Sequence, residues 1–411
     1  MKNKPSFHLS LPQKIILICI ILVVVLVAGF GIMLKRMPSV GAYGADLLRD
    51  IIGQEAVANM EMMVFNVQDA MKKISYSLNL DKASDPWDDG PTALPVKIAA
   101  PTIQATTANK VQDQPSGETT LEPTPTPVPT WVPAKVTPLG DLENVGEWQP
   151  YITNAAGKVV AYRTALQPDS ERPYAIVAVV AFNLEDVKLH FQVGFEEPYA
   201  FGIKKFSDGT IPAKHLKPDV LLAVFNGGFK YEHGTFGCML NDNVSIEPTD
   251  GMATFVIYKD GHYRMGEWGK NITRTNDMQA FRQNGPLVIE DGVLNPKVDD
   301  PSYWGYTITG ATVAWRSGIA LDKDVKTLYY FIGPYLTIDM LAKSMEAVNV
   351  WDAMQLDINN YWTIFEAFPA NQGELIPQPL LPKDMNDNVD RFLRPYARDF
   401  FYLTDATLSD D

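Results

Sequence analysis

The twenty residues from Ile15 to Leu34, IILICIILVVVLVAGFGIML, carry no charge and are bounded by Lys14 and by Lys35–Arg36. At 1.5 Å per residue, a helix of that length spans the roughly 30 Å hydrocarbon core of a bilayer. A cleaved leader would have a shorter apolar region and a small-residue cleavage site after it. The run therefore predicts an uncleaved signal anchor in contact with lipid. Lys2, Lys4 and Lys14 precede it, and Asp46 and Asp50 follow soon after the two cations on its far side. That asymmetry predicts a single-pass arrangement, with a short cytoplasmic tail over 1–14, a span over 15–34 and the remainder extracytoplasmic.

The net charge of −14 offers no basic face to a nucleic-acid partner. One of the two cysteines, Cys19, lies in the apolar run, which leaves Cys238 without an intrachain disulfide partner. A disulfide-free extracytoplasmic domain needs a sizeable core, and 411 residues allow one.

Between the span and the distal part lie two segments of different character. Leu48, Ile52, Ala56, Met60, Val64, Val67, Met71, Ile74 and Leu78 recur at spacings of three and four. This predicts an amphipathic helix from Asp46 to Leu78 within a membrane-proximal segment, 40–80. Its apolar stripe calls for a partner: a second copy (self-association), the bilayer surface or the distal domain. Over 81–138 the pattern dissolves into stretches such as EPTPTPVPTWVP, which predict a disordered Pro/Thr-rich spacer.

From residue 139 to 411 strand signals dominate. ATFVIYKDGHYRMGEW reads as a hairpin turning at Asp260–Gly261, and PLVIEDGVL as a second at Asp291–Gly292. VAWRSGIALDKDVKTLYYFIG is a third pair, turning at Asp322–Lys323–Asp324. One helix, TIDMLAKSMEAVNV, is capped by Thr337 with Leu341, Ala342 and Met345 facing inward, and the strand AMQLD follows. The class this predicts is α+β, a mixed sheet with several hairpins and few helices.

Candidate chemistry is sparse. His190, His215, His233 and His262 show no metal-ligand spacing, so neither a metal nor a cofactor is expected. His233 and Cys238 allow a Cys–His nucleophile, although a buried small hydrophobe beside a loop histidine is the commoner arrangement. More informative is LLAVFNGGFK, an apolar strand ending in Asn226–Gly227–Gly228, where glycines permit positive φ and close ligand approach. A second Asn–Gly stands at Asn284–Gly285. Arg316 lies in an apolar strand and must be paired with a carboxylate or an anionic ligand. Asp357 ends its strand at a loop, where acid–base residues are common.

As an ordered set these motifs resemble the phosphodiester glycosidase (NAGPA) family over about Arg172 to Thr404. The resemblance implies hydrolysis of a sugar-1-phosphodiester at the anomeric bond, with a glycan phosphate of the cell envelope or surface as partner. Such chemistry needs a cation for the phosphate, a carboxylate at the oxocarbenium-like centre and polar groups to orient the sugar. Arg316 and Asp357 are the expected catalytic pair, and Asn226, Gly227, Gly228, Asn284, Gly285 and Asn359 the expected binding groups. The chain departs from the family after Asp357, where Ile358–Asn359–Asn360–Tyr361 replaces glycines and a serine. Ser317 likewise follows the arginine where the family has threonine. Those departures motivate a second reading, a catalytically degenerate glycan-binding or envelope scaffold module.

Overall fold

The computed structural model describes residues 51, 54–83, 85–87, 131–300, 303–304, 313–358, 361–385 and 388–408. The expected span, the cytoplasmic tail and Asn359 lie outside the described residues. Among the described residues, no helix is long and apolar enough to cross a membrane.

The strands form three sheets. The largest has eight strands in the order β1 (Gln149–Thr153), β2 (Val159–Leu166), β3 (Val177–Asn183), β14 (Thr327–Leu336), β13 (Ala314–Leu321), β15 (Asp352–Gln355), β11 (Leu287–Glu290) and β12 (Val293–Leu294). A second orders β17 (Gln378–Pro379), β16 (Phe365–Ala367), β5 (Leu221–Asn226), β18 (Phe400–Asp405) and β4 (Val187–Gln192). The third orders β7 (Asn243–Ile246), β6 (Cys238–Leu240), β10 (Met278–Asn284), β8 (Ala253–Tyr258) and β9 (Tyr263–Glu267).

The α+β class agrees with the sequence, but every pair of named strands is antiparallel, so the expected mixed sheet is corrected to three antiparallel ones. Short turns account for this in the hairpin pairs, because a tight connection joins only antiparallel neighbours; pairs such as β3–β14 and β5–β18 are antiparallel across long separations in sequence. All three expected hairpins form, as β8–β9, β11–β12 and β13–β14. Asp291 and Gly292 both take positive φ, +51° and +76°, as a two-residue hairpin turn requires.

Burial on both faces explains the unbroken apolar runs. In β3, Val177, Val179 and Ala181 face the helix layer, while Ala178, Val180 and Phe182 face the second sheet. The helix layer is α2 (Ile338–Val348), whose Leu341, Ala342 and Met345 are buried as expected. Thr337 caps it, its side-chain oxygen accepting from Met340 N at 3.2 Å. On the opposite face the two sheets meet through rings, Phe225 to Tyr330 at 4.6 Å and Tyr330 to Phe365 at 5.4 Å. The site described below sits at the ends of β5, β10, β13 and β15, around this sheet-on-sheet seam.

The expected amphipathic helix is described as α1 (Gln54–Ser77). It docks on the distal domain through its polar face. Asp69 is 7% exposed; both its oxygens accept from Arg172 Nε at 3.1 Å, and one accepts from Tyr174 OH at 2.6 Å. The Tyr76 and Tyr174 rings lie 5.0 Å apart. Val67, Met71, Ile74 and Leu78 are exposed instead, so the distal domain is not the stripe's partner.

The chain that follows docks too. Trp87 donates Nε1–H to Leu380 O at 2.9 Å and covers the Arg163 guanidinium, which lies 4.2 Å from its ring centre and 4.8 Å from that of Tyr151. Val136 is buried and Thr137 N donates to Ala347 O. Residues 131–138, read from the sequence as the end of the spacer, therefore pack against the domain.

Asp69→Ala is expected to strip Tyr174 OH of its acceptor and Arg172 of one of its two carboxylates, leaving Asp169. The expected loss is about 1–3 kcal/mol, read as a lower denaturation midpoint, with faster proteolysis between α1 and Trp87.

Candidate active site

β5 is apolar until Asn226, which turns inward and spends its whole amide on the protein. Nδ2 donates to Ser317 Oγ at 2.9 Å and Gly227 O at 3.0 Å, while Oδ1 accepts from Tyr330 OH at 2.6 Å and Ile364 N at 3.2 Å. Two donors and two lone pairs are thereby satisfied. Asn284, at the end of β10, is used the same way: Nδ2 donates to Gln355 O and Leu356 O, and Oδ1 accepts from Phe229 N. Both asparagines stitch strand ends together at the foot of the Asp357 segment. Gly285 follows in a half-buried turn and accepts from Ala253 N at 2.8 Å.

Gly227 and Gly228 do not take the positive φ expected of them. They are glycine because a buried ion pair lies against their backbone. A Cβ on Gly227 would stand 2.0 Å from Asp399 Oδ2, and one on Gly228 would stand 2.9 Å from the Arg282 guanidinium carbon. Their amides are occupied as well: Gly227 N donates to Asp399 O at 3.0 Å and Gly228 N to Asp399 Oδ2 at 2.9 Å.

Asp357 closes this arrangement. It is 5% exposed, its N–H donates to Gly227 O, and its own carbonyl accepts from Ser317 Oγ at 2.9 Å. One carboxylate oxygen accepts from Ile358 N at 2.8 Å, and the other from Arg398 at 2.6 Å. Burial pushes the Asp357 carboxyl above the usual aspartate range, opposed by the charge of Arg398. Asp399 in turn binds Arg282 Nε at 2.8 Å, with both side chains fully buried. The remaining Arg282 donors go to the carbonyls of Phe229, Phe236 and Gln283. Two arginines and two aspartates thus alternate in a buried row of zero net charge.

Arg282 is saturated; Arg398 is not. One of its end nitrogens serves Asp357 and Gly228 O, whereas its buried Nε has no acceptor; Asp399 Oδ1, likewise buried, has no donor. The Arg398 guanidinium lies 4.7 Å from the Trp362 ring centre, and Lys230 Nζ lies 5.7 Å from that same ring. Glu197 stands on the segment whose amides bond to Tyr396 O and Ala397 O, immediately before Arg398. Its carboxyl is pushed up by burial and pulled back by Tyr231 N–H, Arg398 and Lys230.

Arg316 is placed elsewhere. Neighbouring strand residues point to opposite faces, so while Ser317 meets Asn226 and Asp357, Arg316 turns toward the helix layer. There it donates to Leu336 O at 3.0 Å and Gln355 Oε1 at 2.6 Å, and burial lowers its pKa to about 10. The structure brings Asn226, Gly227, Gly228, Asn284 and Asp357 together and leaves Arg316 out. Cys238 is fully buried and its thiol is pushed up to about 12 by that burial, as suits a core residue.

Residues 219–357 match the family model described as phosphodiester glycosidase. The match covers about a third of the chain. It starts just ahead of β5 and ends on Asp357, so Arg398 and Asp399 on the return strand lie beyond it. Among solved structures, the catalytic domain of zebrafish N-acetylglucosamine-1-phosphodiester alpha-N-acetylglucosaminidase, auto-inhibited by its pro-peptide, is 15% identical. The match covers 63% of this chain and 87% of that one at a TM-score of 0.36. A hypothetical protein from Synechocystis is 10% identical over 64% of this chain and 65% of its own, at 0.32. A putative exported protein from Burkholderia pseudomallei is 10% identical over 56% and 74%, at 0.25. No curated protein matches.

Asp399→Ala is expected to leave the Arg282 charge buried without its counter-ion. Removing one partner of a buried pair costs about 3–5 kcal/mol, so denaturant unfolding should show a large drop. Gly227→Ala, which thrusts a methyl group into the same carboxylate, should cost about 1–3 kcal/mol by overpacking.

Proposed function

We propose that the chain is a membrane-anchored, extracytoplasmic hydrolase that cleaves a sugar-1-phosphodiester in an envelope or surface glycan. The observation that carries this is the buried Asp357 at the strand end, 2.6 Å from an arginine, Arg398, that keeps a donor unused. Asp357 is the carboxylate that steadies the oxocarbenium-like centre or takes a proton from attacking water. Arg398, with Lys230 also close to the Trp362 ring, takes the phosphate charge that the sequence alone assigned to Arg316. Water adds to the anomeric carbon as the bond to the phosphate oxygen breaks, and the phosphate monoester leaves with the electron pair. Asn226, Asn284 and the two glycines hold the carboxylate in place rather than touching sugar. The family segment supports this substrate class. The apolar run 15–34 supports the anchor.

The full chain in detergent, given an N-acetylglucosamine-1-phosphodiester, is expected to release free sugar. Asp357→Asn should reduce the rate by about 10²–10⁴-fold, and Arg398→Ala by about 10²–10³-fold. Arg316→Lys should leave the rate within a few-fold of the parent. Because burial raises the Asp357 carboxyl and the working form is ionised, the rate should fall on acidification with a midpoint above the ordinary aspartate range. Absence of turnover on every sugar-1-phosphodiester tried would sink the catalytic reading.

A second reading, a glycan-binding module without turnover, is favoured by one observation. Ile358 to Tyr361 replace the glycines and serine that the resemblance leads one to expect, and Tyr361 is 5% exposed with its ring against Trp362 at 4.7 Å. Saturable binding of intact phosphodiester without sugar release would establish that alternative.

A further inference from the structure

The sequence of α1 carries a repeat whose last members, Val67, Met71, Ile74 and Leu78, are left uncovered by its own domain. Val57, Met60, Val64, Val67, Met71, Ile74 and Leu78 follow one another at intervals alternating between three and four residues. That is a heptad repeat over three turns of the pattern, the spacing of a coiled-coil seam. Asp69 and Tyr76, seven residues apart, occupy the position opposite the seam, and these are the residues fastened to Arg172 and Tyr174. Docking therefore fixes the rotation of the helix and presents the seam outward. Val67, Met71, Ile74 and Leu78 are 47%, 66%, 59% and 61% exposed.

We infer that this seam pairs with the seam of a second copy of the chain, as a parallel two-helix coiled coil. The positions flanking the seam are Ala56, Glu61, Met63, Gln68, Ala70, Ser75 and Ser77, with one charge among them, so two copies approach without repulsion between facing charged rows. A bilayer surface fits less well. Lys72 and Lys73, the cations best placed to grip headgroups, are held by the chain's own Asp81 at 2.7 Å and Glu171 at 3.9 Å. The net charge of −14 adds repulsion from an anionic leaflet. The apolar run 15–34 on the N-terminal side of every copy sets the parallel direction. In such a pair the two distal domains lie on the outer sides of the helices, each fastened opposite the seam. The inference is independent of the catalytic reading.

The test uses the full chain in detergent micelles and in phosphatidylcholine vesicles, with Cys19→Ser to remove the thiol of the apolar run. Val67→Cys or Ile74→Cys is introduced at the seam, and Lys73→Cys off it. Mild oxidation is expected to give a disulfide-linked band of twice the chain mass from both seam variants, at least five-fold more than from Lys73→Cys. Equal yields at all three sites, or none at the seam, would overturn the proposal. Seam thiols shielded from a water-soluble maleimide only when vesicles are present, with no cross-link, would assign the stripe to the bilayer and also overturn it. Met71→Glu with Ile74→Glu should convert the dimer to monomer in sedimentation while the domain's unfolding midpoint stays put. A dimer that survives both glutamates refutes the seam.

Discussion

The fully buried contact between Arg282 and Asp399 organises the centre of the domain. Neither charge is tolerable there alone, because desolvating an ion costs several kcal/mol that only a well-placed counter-ion and hydrogen bonds return. The pair dictates two glycines at the end of β5, because no side chain fits between that backbone and the carboxylate. It draws β18 against β5 at the point where Arg398 emerges, and Arg398 then meets Asp357. The strands that carry or adjoin these groups, β10, β18 and β15, belong to three different sheets, so the charged groups also tie those sheets together at their shared end.

Much of the fold is legible in the sequence because its signals are local. The Asp260–Gly261 and Asp291–Gly292 turns, the Thr337 cap and the apolar strand runs each act within a few residues, and each appears where the pattern places it. The division into three antiparallel sheets is not local. β3 and β4 are consecutive yet belong to different sheets, and only the two opposed faces of the core decide that.

The candidate site was half legible for the same reason. Asn226, Gly227, Gly228, Asn284 and Asp357 converge, but Arg316 misleads, since an arginine in an apolar strand does not declare which face it takes. Its neighbour Ser317 is the residue that reaches the site. The same signal, a cation inside an apolar strand, was present at Arg282, and Arg398–Asp399 stands directly before the apolar run of β18. What pairs these residues is sequence separation of 117 between Arg282 and Asp399 and 41 between Asp357 and Arg398, which no short-range pattern records.

The attachment of Trp87 and of residues 131–138 to one body bears on how this chain can change over time. Because Trp87 on one side of the proline-rich stretch and residues 131–138 on the other are both held by the domain, the length of that stretch sets no distance between the domain and anything N-terminal to Trp87. That spacing is measured by α1, whose 24 residues extend about 36 Å as a rigid ruler. Lengthening a closed loop is cheap, with each doubling costing about 0.6 kcal/mol. Residues 88–130 are therefore free to drift in length and composition without moving the domain, while a single turn inserted into α1 would displace everything that follows it.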